Sequence, residues 1–226
     1  EERYEDDMAA MRDAIAKYAP GVRLWQGENG CPSVGGPESV GALSQLEWDE
    51  TRQAKWLLRR ILLDLRYGVE LTSYYHTVDL VGYRGKTNFK GLLRGNEYTP
   101  KPSYFAYQCL CALFDAATRR AELALALVGQ EKVQLQEAHF TRNGRALYAY
   151  WFPADLQKPW TARTVSMSLD VREGAALDDP VLVDPLSQEV FRLVPAKLGE
   201  TNAVFENLPL RDYPLLITGA SAFQMA

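Results

Sequence analysis

The chain has 226 residues, room for one large domain or two small ones, with 47% apolar and 24% charged residues and a net charge of −4. That apolar supply can fill a sizeable core and excludes a disordered chain. The mild acidity, with no Lys/Arg run, excludes the electrostatic footprint of a nucleic-acid or anionic-membrane binder. No segment has the apolar length of a bilayer span, since 56–65 is interrupted by Arg59, Arg60 and Asp64.

Spacing of apolar residues predicts a first helix over 2–18, with Met8, Met11, Ile15 and Tyr18 on one face and Pro20-Gly21 as its stop. A short strand over 22–26 follows, running into Gly27-Glu28-Asn29-Gly30. A polar loop leads to a second helix over 49–67, with Asp49 as N-cap and Gly68 as stop. Residues 69–75 read as a second strand and 76–99 as a long loop, a length that in compact domains is usually functional or disordered. Lys101-Pro102-Ser103 opens a third helix to about 117, with Tyr104, Tyr107, Leu110, Cys111 and Phe114 on its predicted buried face.

Beyond about residue 120 the apolar period becomes two. Strands are predicted over 123–127, 132–140, 146–151, 164–171, 181–184, 189–194, 203–208 and 215–218, with Asn143-Gly144 as a hairpin turn. The fold class expected is therefore α/β over 1–119 and an antiparallel β-sandwich over 120–226. The order helix–strand–helix–strand–helix is that of the last quarter of a (β/α)8 barrel. Two strands cannot close a barrel that needs eight and about 250 residues, so on this reading most of it lies N-terminal to Glu1. The opening Glu1-Glu2-Arg3, with no Met, fits a cut piece or a processed product.

Chemistry concentrates in Leu24-Trp25-Gln26-Gly27-Glu28-Asn29-Gly30, where an apolar strand delivers a carboxylate at its C-terminal end between glycines. In barrel enzymes that end carries the catalytic groups. Asn29-Gly30 is equally a turn signal, so a surface Glu in a turn competes with the catalytic reading. Fifty residues on, Tyr74-Tyr75-His76 ends the next strand with aromatic and imidazole side chains. Alternation puts Tyr74 and His76 on one side and Tyr75 on the other, without saying which side meets a site.

These segments, with Gly91-Leu92-Leu93 and Lys101-Pro102-Ser103-Tyr104, resemble the end of the barrel in clan A glycoside hydrolases. The resemblance implies that Trp25-x-Gly27-Glu28-x-Gly30 lies on the seventh strand and that Glu28 is the nucleophile of a retaining double displacement. It implies an aromatic platform at Tyr74, Tyr75 and His76, with Trp25 and Asn29 as further substrate contacts. Asn29 could equally bond its own loop. A second carboxylic acid about 5–5.5 Å away is required. In the clan it comes from strand four, which this chain lacks, so the piece alone is expected to be inactive. Within the chain, Asp79 and Glu97 are the loop carboxylates near the expected face, each read as solvated or structural. Glu70 falls at the opposite end of its strand.

The resemblance implies a carbohydrate substrate, and neither a cofactor nor a metal is expected: His76 and His139 are far apart, and no zinc spacing, Gly-x-Ser-x-Gly elbow or phosphate loop occurs. The partners expected are the missing N-terminal barrel part or a second copy of the chain. Cys31, Cys109 and Cys111 read as buried structural thiols. Tyr148, Tyr150, Trp151, Phe152 and Trp160 read as sandwich core before a carbohydrate-binding face, and the rival to an enzyme is a non-catalytic carbohydrate-binding or interaction module.

Overall fold

A computed structural model describes residues 4–129 and 133–222. Helix α1 (Tyr4–Tyr18) carries acids in its first turn and Lys17 in its last, which suits the helix dipole. Of its expected apolar face only Met8 is buried; Met11 and Tyr18 are exposed. Residues 1–3, which include the first predicted helical position, lie outside the described residues. Strand β1 (Trp25–Asn29) starts three residues later than predicted, because pairing with the next strand, rather than apolar content, sets its limits.

Helix α2 (Glu50–Arg66) is capped by Asp49, whose side chain accepts from the Arg52 N–H at 2.7 Å. It is buried on several sides, through Gln53, Ala54, Leu57, Leu58, Arg59, Ile61, Leu62, Leu63 and Asp64. Strand β2 (Leu71–Tyr74) lies parallel to β1. The predicted loop 76–99 contains a hairpin, β3 (Leu80–Tyr83) and β4 (Lys86–Asn88), turned by Arg84-Gly85 at φ +51° and +76°.

Helix α3 (Pro102–Leu113) is shorter than predicted; it buries Leu110 as expected, with Ser103, Ala106 and Leu113 beside it, and Tyr107 and Phe114 are half-buried against the core. Small residues there allow close packing on α2, and Tyr104 and Cys111 turn outward. Exposure of Cys111 corrects the reading of three buried thiols; Cys31 is sealed and Cys109 half-buried.

Ten strands follow: β5 (Thr118–Arg120), β6 (Leu125–Leu127), β7 (Gln136–Arg142), β8 (Arg145–Trp151), β9 (Arg163–Asp170), β10 (Pro180–Asp184), β11 (Glu189–Arg192), β12 (Lys197–Leu198), β13 (Asn202–Leu210) and β14 (Leu215–Gly219). They form an antiparallel sheet β11-β10-β14-β8-β7-β5 and a second one, β12-β13-β9-β6. Asn143-Gly144 turns β7 into β8 with both φ positive, as the sequence predicts. The predicted junction at 119 falls inside β5, which pairs with β7. Strands β5 and β12 are too short to show alternation, and both escape the sequence reading.

The apolar core runs without a break from α2 and α3 into both sheets. Phe114 meets Phe140 edge-on at 5.0 Å, and Arg59 donates to the carbonyls of Asp212 and Ala154. The centre of the larger sheet is thus covered on both faces, which explains why β14 is buried throughout, while the edge strand β11 is exposed.

Candidate active site

The site begins with the way β1 meets β2. Trp25 pairs with Leu71, Gln26 with Thr72 and Asn29 with Tyr74, so β1 holds one extra residue across Gly27-Glu28. That is a β-bulge, a device that bends a strand and re-aims a side chain. Asn29 and Thr72 face α2: Asn29 Nδ2 donates to Thr72 Oγ1 at 3.0 Å, and Thr72 Oγ1 donates to Asp64 Oδ2 at 2.6 Å. Ser73 and Tyr75, alternating with Thr72 and Tyr74, take the other, open face, and Glu28, next to Asn29 in the bulge, is expected to open to that side. Glu28 is exposed, and among the described residues its carboxylate has no hydrogen bond or ion pair.

Gly30 explains part of the motif. A Cβ there would lie 2.2 Å from the Tyr75 carbonyl oxygen, so only glycine lets β1 leave this close to the exit of β2. Gly27 has no such neighbour; a Cβ on it meets nothing within 4 Å.

The expected substrate contacts are not all gathered at Glu28. Trp25, 57% exposed, sits at the start of β1, roughly 10 Å along the strand from Glu28. Its Nε1 donates to Glu70 at 3.4 Å, and Arg23 pairs with the same carboxylate at 3.2 Å. Tyr74 turns towards α2 and donates to the Cys31 carbonyl at 3.4 Å, and burial pushes its hydroxyl pKa far above the phenol range. Tyr75 remains on the Glu28 face, edge-on to His76 at 4.3 Å across a cis peptide. Both His76 nitrogens are sealed, with the Val78 backbone and Asn88 as polar neighbours but no hydrogen bond of normal geometry. Burial lowers the His76 pKa, against the opposing influence of Val78, Asp79 and Asn88. Asn29 is 8% exposed and bonds its own scaffold.

Beneath the mouth of the β1–β2 pair lies a polar clamp; of its members the sequence reading singled out Asp79, as solvated or structural, and the Lys101-Pro102-Ser103 helix start. Lys101, 1% exposed, donates to Asp79 at 2.7 Å and to Ser33 at 2.8 Å. Burial lowers its pKa and the Asp79 carboxylate opposes that shift. Asp79 also accepts the Gly91 N–H at 2.8 Å. Gln53 of α2 donates to the carbonyls of Cys31 and Gly91 and accepts from Ser103 at 2.8 Å. The clamp joins the loops after β1 and β2 to the starts of α2 and α3. Lys90 borders the same mouth, 9% exposed, its stem 3.7 Å from the Cβ positions of Gly30 and Gly41, with no ion pair among the described residues. Glu97 is exposed and accepts from Thr99 at 3.3 Å.

Elsewhere, Tyr148, Tyr150 and Trp151 are fully buried, with the tyrosine hydroxyls on the carbonyls of Asp170 and Pro209. They are core residues and present no face to a glycan. Phe152 and Trp160 stack at 4.9 Å under Arg163. His139 packs on Tyr148 at 5.2 Å. Among the described residues no cluster of three or more His, Cys, Asp or Glu has metal-binding geometry, and no helix is long and apolar enough to cross a membrane.

No protein-family model matches the chain, and no curated protein matches it significantly. Among solved structures, a GH30 endoxylanase from Clostridium papyrosolvens C71 superposes with a TM-score of 0.56 and 9% identity, over 92% of this chain and 44% of that one. The likeness is one of fold. The catalytic domain of GH30 xylanase C from Talaromyces cellulolyticus gives a TM-score of 0.49 at 11% identity, over 88% and 41%. This chain thus spans less than half the length of either structure.

Proposed function

We propose that this chain is the C-terminal part of a retaining glycoside hydrolase. In this reading 1–119 supply the last two strands of a (β/α)8 barrel, 120–226 an attached sandwich, and Glu28 the nucleophile. The observation that carries it is Glu28 itself: an exposed carboxylate, without an ion pair among the described residues, in a bulge at the C-terminal end of a parallel strand, next to Asn29, which faces α2. The crossover from β1 through α2 to parallel β2 is the repeating unit of such barrels. The fold likeness to a GH30 endoxylanase supports the same architecture. Exposed Trp25 and Leu71, 57% and 44%, suit a barrel interior awaiting its remaining strands, which are the proposed partner. The substrate proposed is a β-linked or furanosidic glycan.

Glu28 would attack the anomeric carbon, form a glycosyl-enzyme and release the leaving oxygen, protonated by a second carboxylic acid. Water activated by that same group would then free the sugar. None of the neighbouring carboxylates serves as that acid: Asp79 is held in the buried pair with Lys101, Glu70 is at the far end of β2, and Glu97 lies out in the loop with Thr99. The acid would come from the rest of the barrel, and this chain alone would be inactive. Tyr75 would be the aromatic neighbour of the sugar, and Trp25 would line the barrel floor.

The test is Glu28→Gln in the full-length protein, assayed on p-nitrophenyl β-xyloside, β-glucoside and α-arabinofuranoside. The expected result is turnover of at least one by the wild type and a loss of several orders of magnitude in the variant, with its melting temperature unchanged. Equal activity of variant and wild type, or a wild type that turns over none of them, overturns the reading.

A further inference from the structure

Behind Glu28 runs a chain of hydrogen bonds whose direction is fixed by chemistry. Asp64, 0% exposed on α2, pairs with Arg60 at 3.1 Å and accepts the Tyr4 hydroxyl of α1. A carboxylate in that setting only accepts. The single proton of Thr72 Oγ1 therefore goes to Asp64 Oδ2 at 2.6 Å, leaving lone pairs towards Asn29. Asn29 must then present its Nδ2 to Thr72, at 3.0 Å, and its Oδ1 is left sealed without a partner. The backbone is held at the same place, since the Asn29 carbonyl accepts from the Tyr75 N–H at 2.6 Å.

A bulge next to a strand end can migrate, and a slip of one residue turns a side chain to the opposite face of the sheet. The residue most exposed to that slip is Glu28, one position before Asn29. We infer that Asp64, acting through Thr72 and Asn29, is a positioning residue for Glu28: the relay fixes which residue of β1 faces α2 and so keeps the Glu28 carboxylate on the open face. The inference rests on the reading of Glu28 as nucleophile. It assigns Asn29, which the sequence leaves between substrate contact and loop anchor, to the anchor.

Asn29→Ala and Thr72→Val in the full-length protein test it, on whichever of the three p-nitrophenyl glycosides the wild type turns over fastest. Asn29→Ala leaves the Thr72–Asp64 bond intact and so spares the fold. The expected result for both is a kcat lowered roughly ten- to a hundredfold, the size of effect of misplacing a reacting group by about an ångström. KM should stay within about twofold, because the relay touches no substrate. Thr72→Ser, which keeps the hydroxyl, should recover most of the lost kcat. An Asn29→Ala enzyme with wild-type kcat, or one whose loss is all in KM, overturns the relay. If Glu28→Gln is inactive in that case, the nucleophile reading survives without it; if Glu28→Gln is active, both fall together.

Discussion

The larger sandwich sheet has the second sheet on one face and α2 with α3 on the other, while the β1–β2 pair has α2 on one face and, among the described residues, leaves Trp25 and Leu71 exposed on its second. The first region is held by interlocked apolar side chains. The second is held by polar clamps, Lys101–Asp79 with Gln53 on one side and Asp64–Thr72–Asn29 on the other. Apolar packing spreads its stabilisation over many small contacts, whereas a buried ion pair concentrates the cost of disruption in two groups that must stay together. An α/β region built this way keeps its loops in place while one face of its sheet stays exposed.

The sharpest way to break this contrast is Trp151→Ala. Trp151 is sealed between the sheet and the helices, and its removal should cost about 3 to 5 kcal/mol in urea denaturation, with one cooperative transition. Two transitions would show that the continuous core does not couple the regions. Next in size is Asp79→Asn, which strands the buried Lys101 ammonium and should cost about 3 kcal/mol. Here the loss should be local. Hydrogen exchange should rise at Gly91 and Leu92, whose N–H groups bond Asp79 and the His76 carbonyl, while β8 and β14 keep their protection. Equal opening of both regions would erase the distinction.

The difference between the regions also governs what could be read from the sequence. Alternation in 164–171 and the Asn143-Gly144 turn located sandwich strands, because a strand with one buried face writes its period into the chain, while 146–151 and 215–218, buried on both faces, read as short apolar runs. The polar clamps wrote nothing periodic: Ser33, Gln53, Asp79 and Lys101 are far apart in sequence and meet only in the fold. The bulge at Gly27-Glu28 was also hidden, since it is a property of two strands paired together, and Gly27 was its one local hint. With it went the placing of the aromatics: Tyr74, expected near Glu28, turned to α2, because register rather than residue type decides which face a side chain takes, and Trp25 stayed at the far end of β1 beside Glu70.

A smaller effect should come from pH. Burial depresses the His76 pKa, so below the ordinary histidine value of about 6.5 the unfolded chain binds a proton that the folded one resists. The unfolded state then holds more protons, and stability must fall as pH drops from 7 towards 5, by at most about 1.4 kcal/mol per unit. His76→Asn should flatten that limb, measured as the urea midpoint at pH 7, 6 and 5. A slope unchanged by the substitution would move its origin to another group.

The smallest stability effect is expected where the contrast is most visible, on the bare sheet face. Trp25→Ser with Leu71→Ser removes two exposed apolar side chains that pack against little, so the melting temperature should correspond to a change within about 0.5 kcal/mol. Self-association should respond far more. An open two-stranded edge beside an apolar face is a template for another strand or another copy. Light scattering of this chain alone should therefore show concentration-dependent association that the double variant reduces. A clean monomer at every concentration would mean that the open face needs no cover, and would remove the strongest structural reason for placing six further strands beside it.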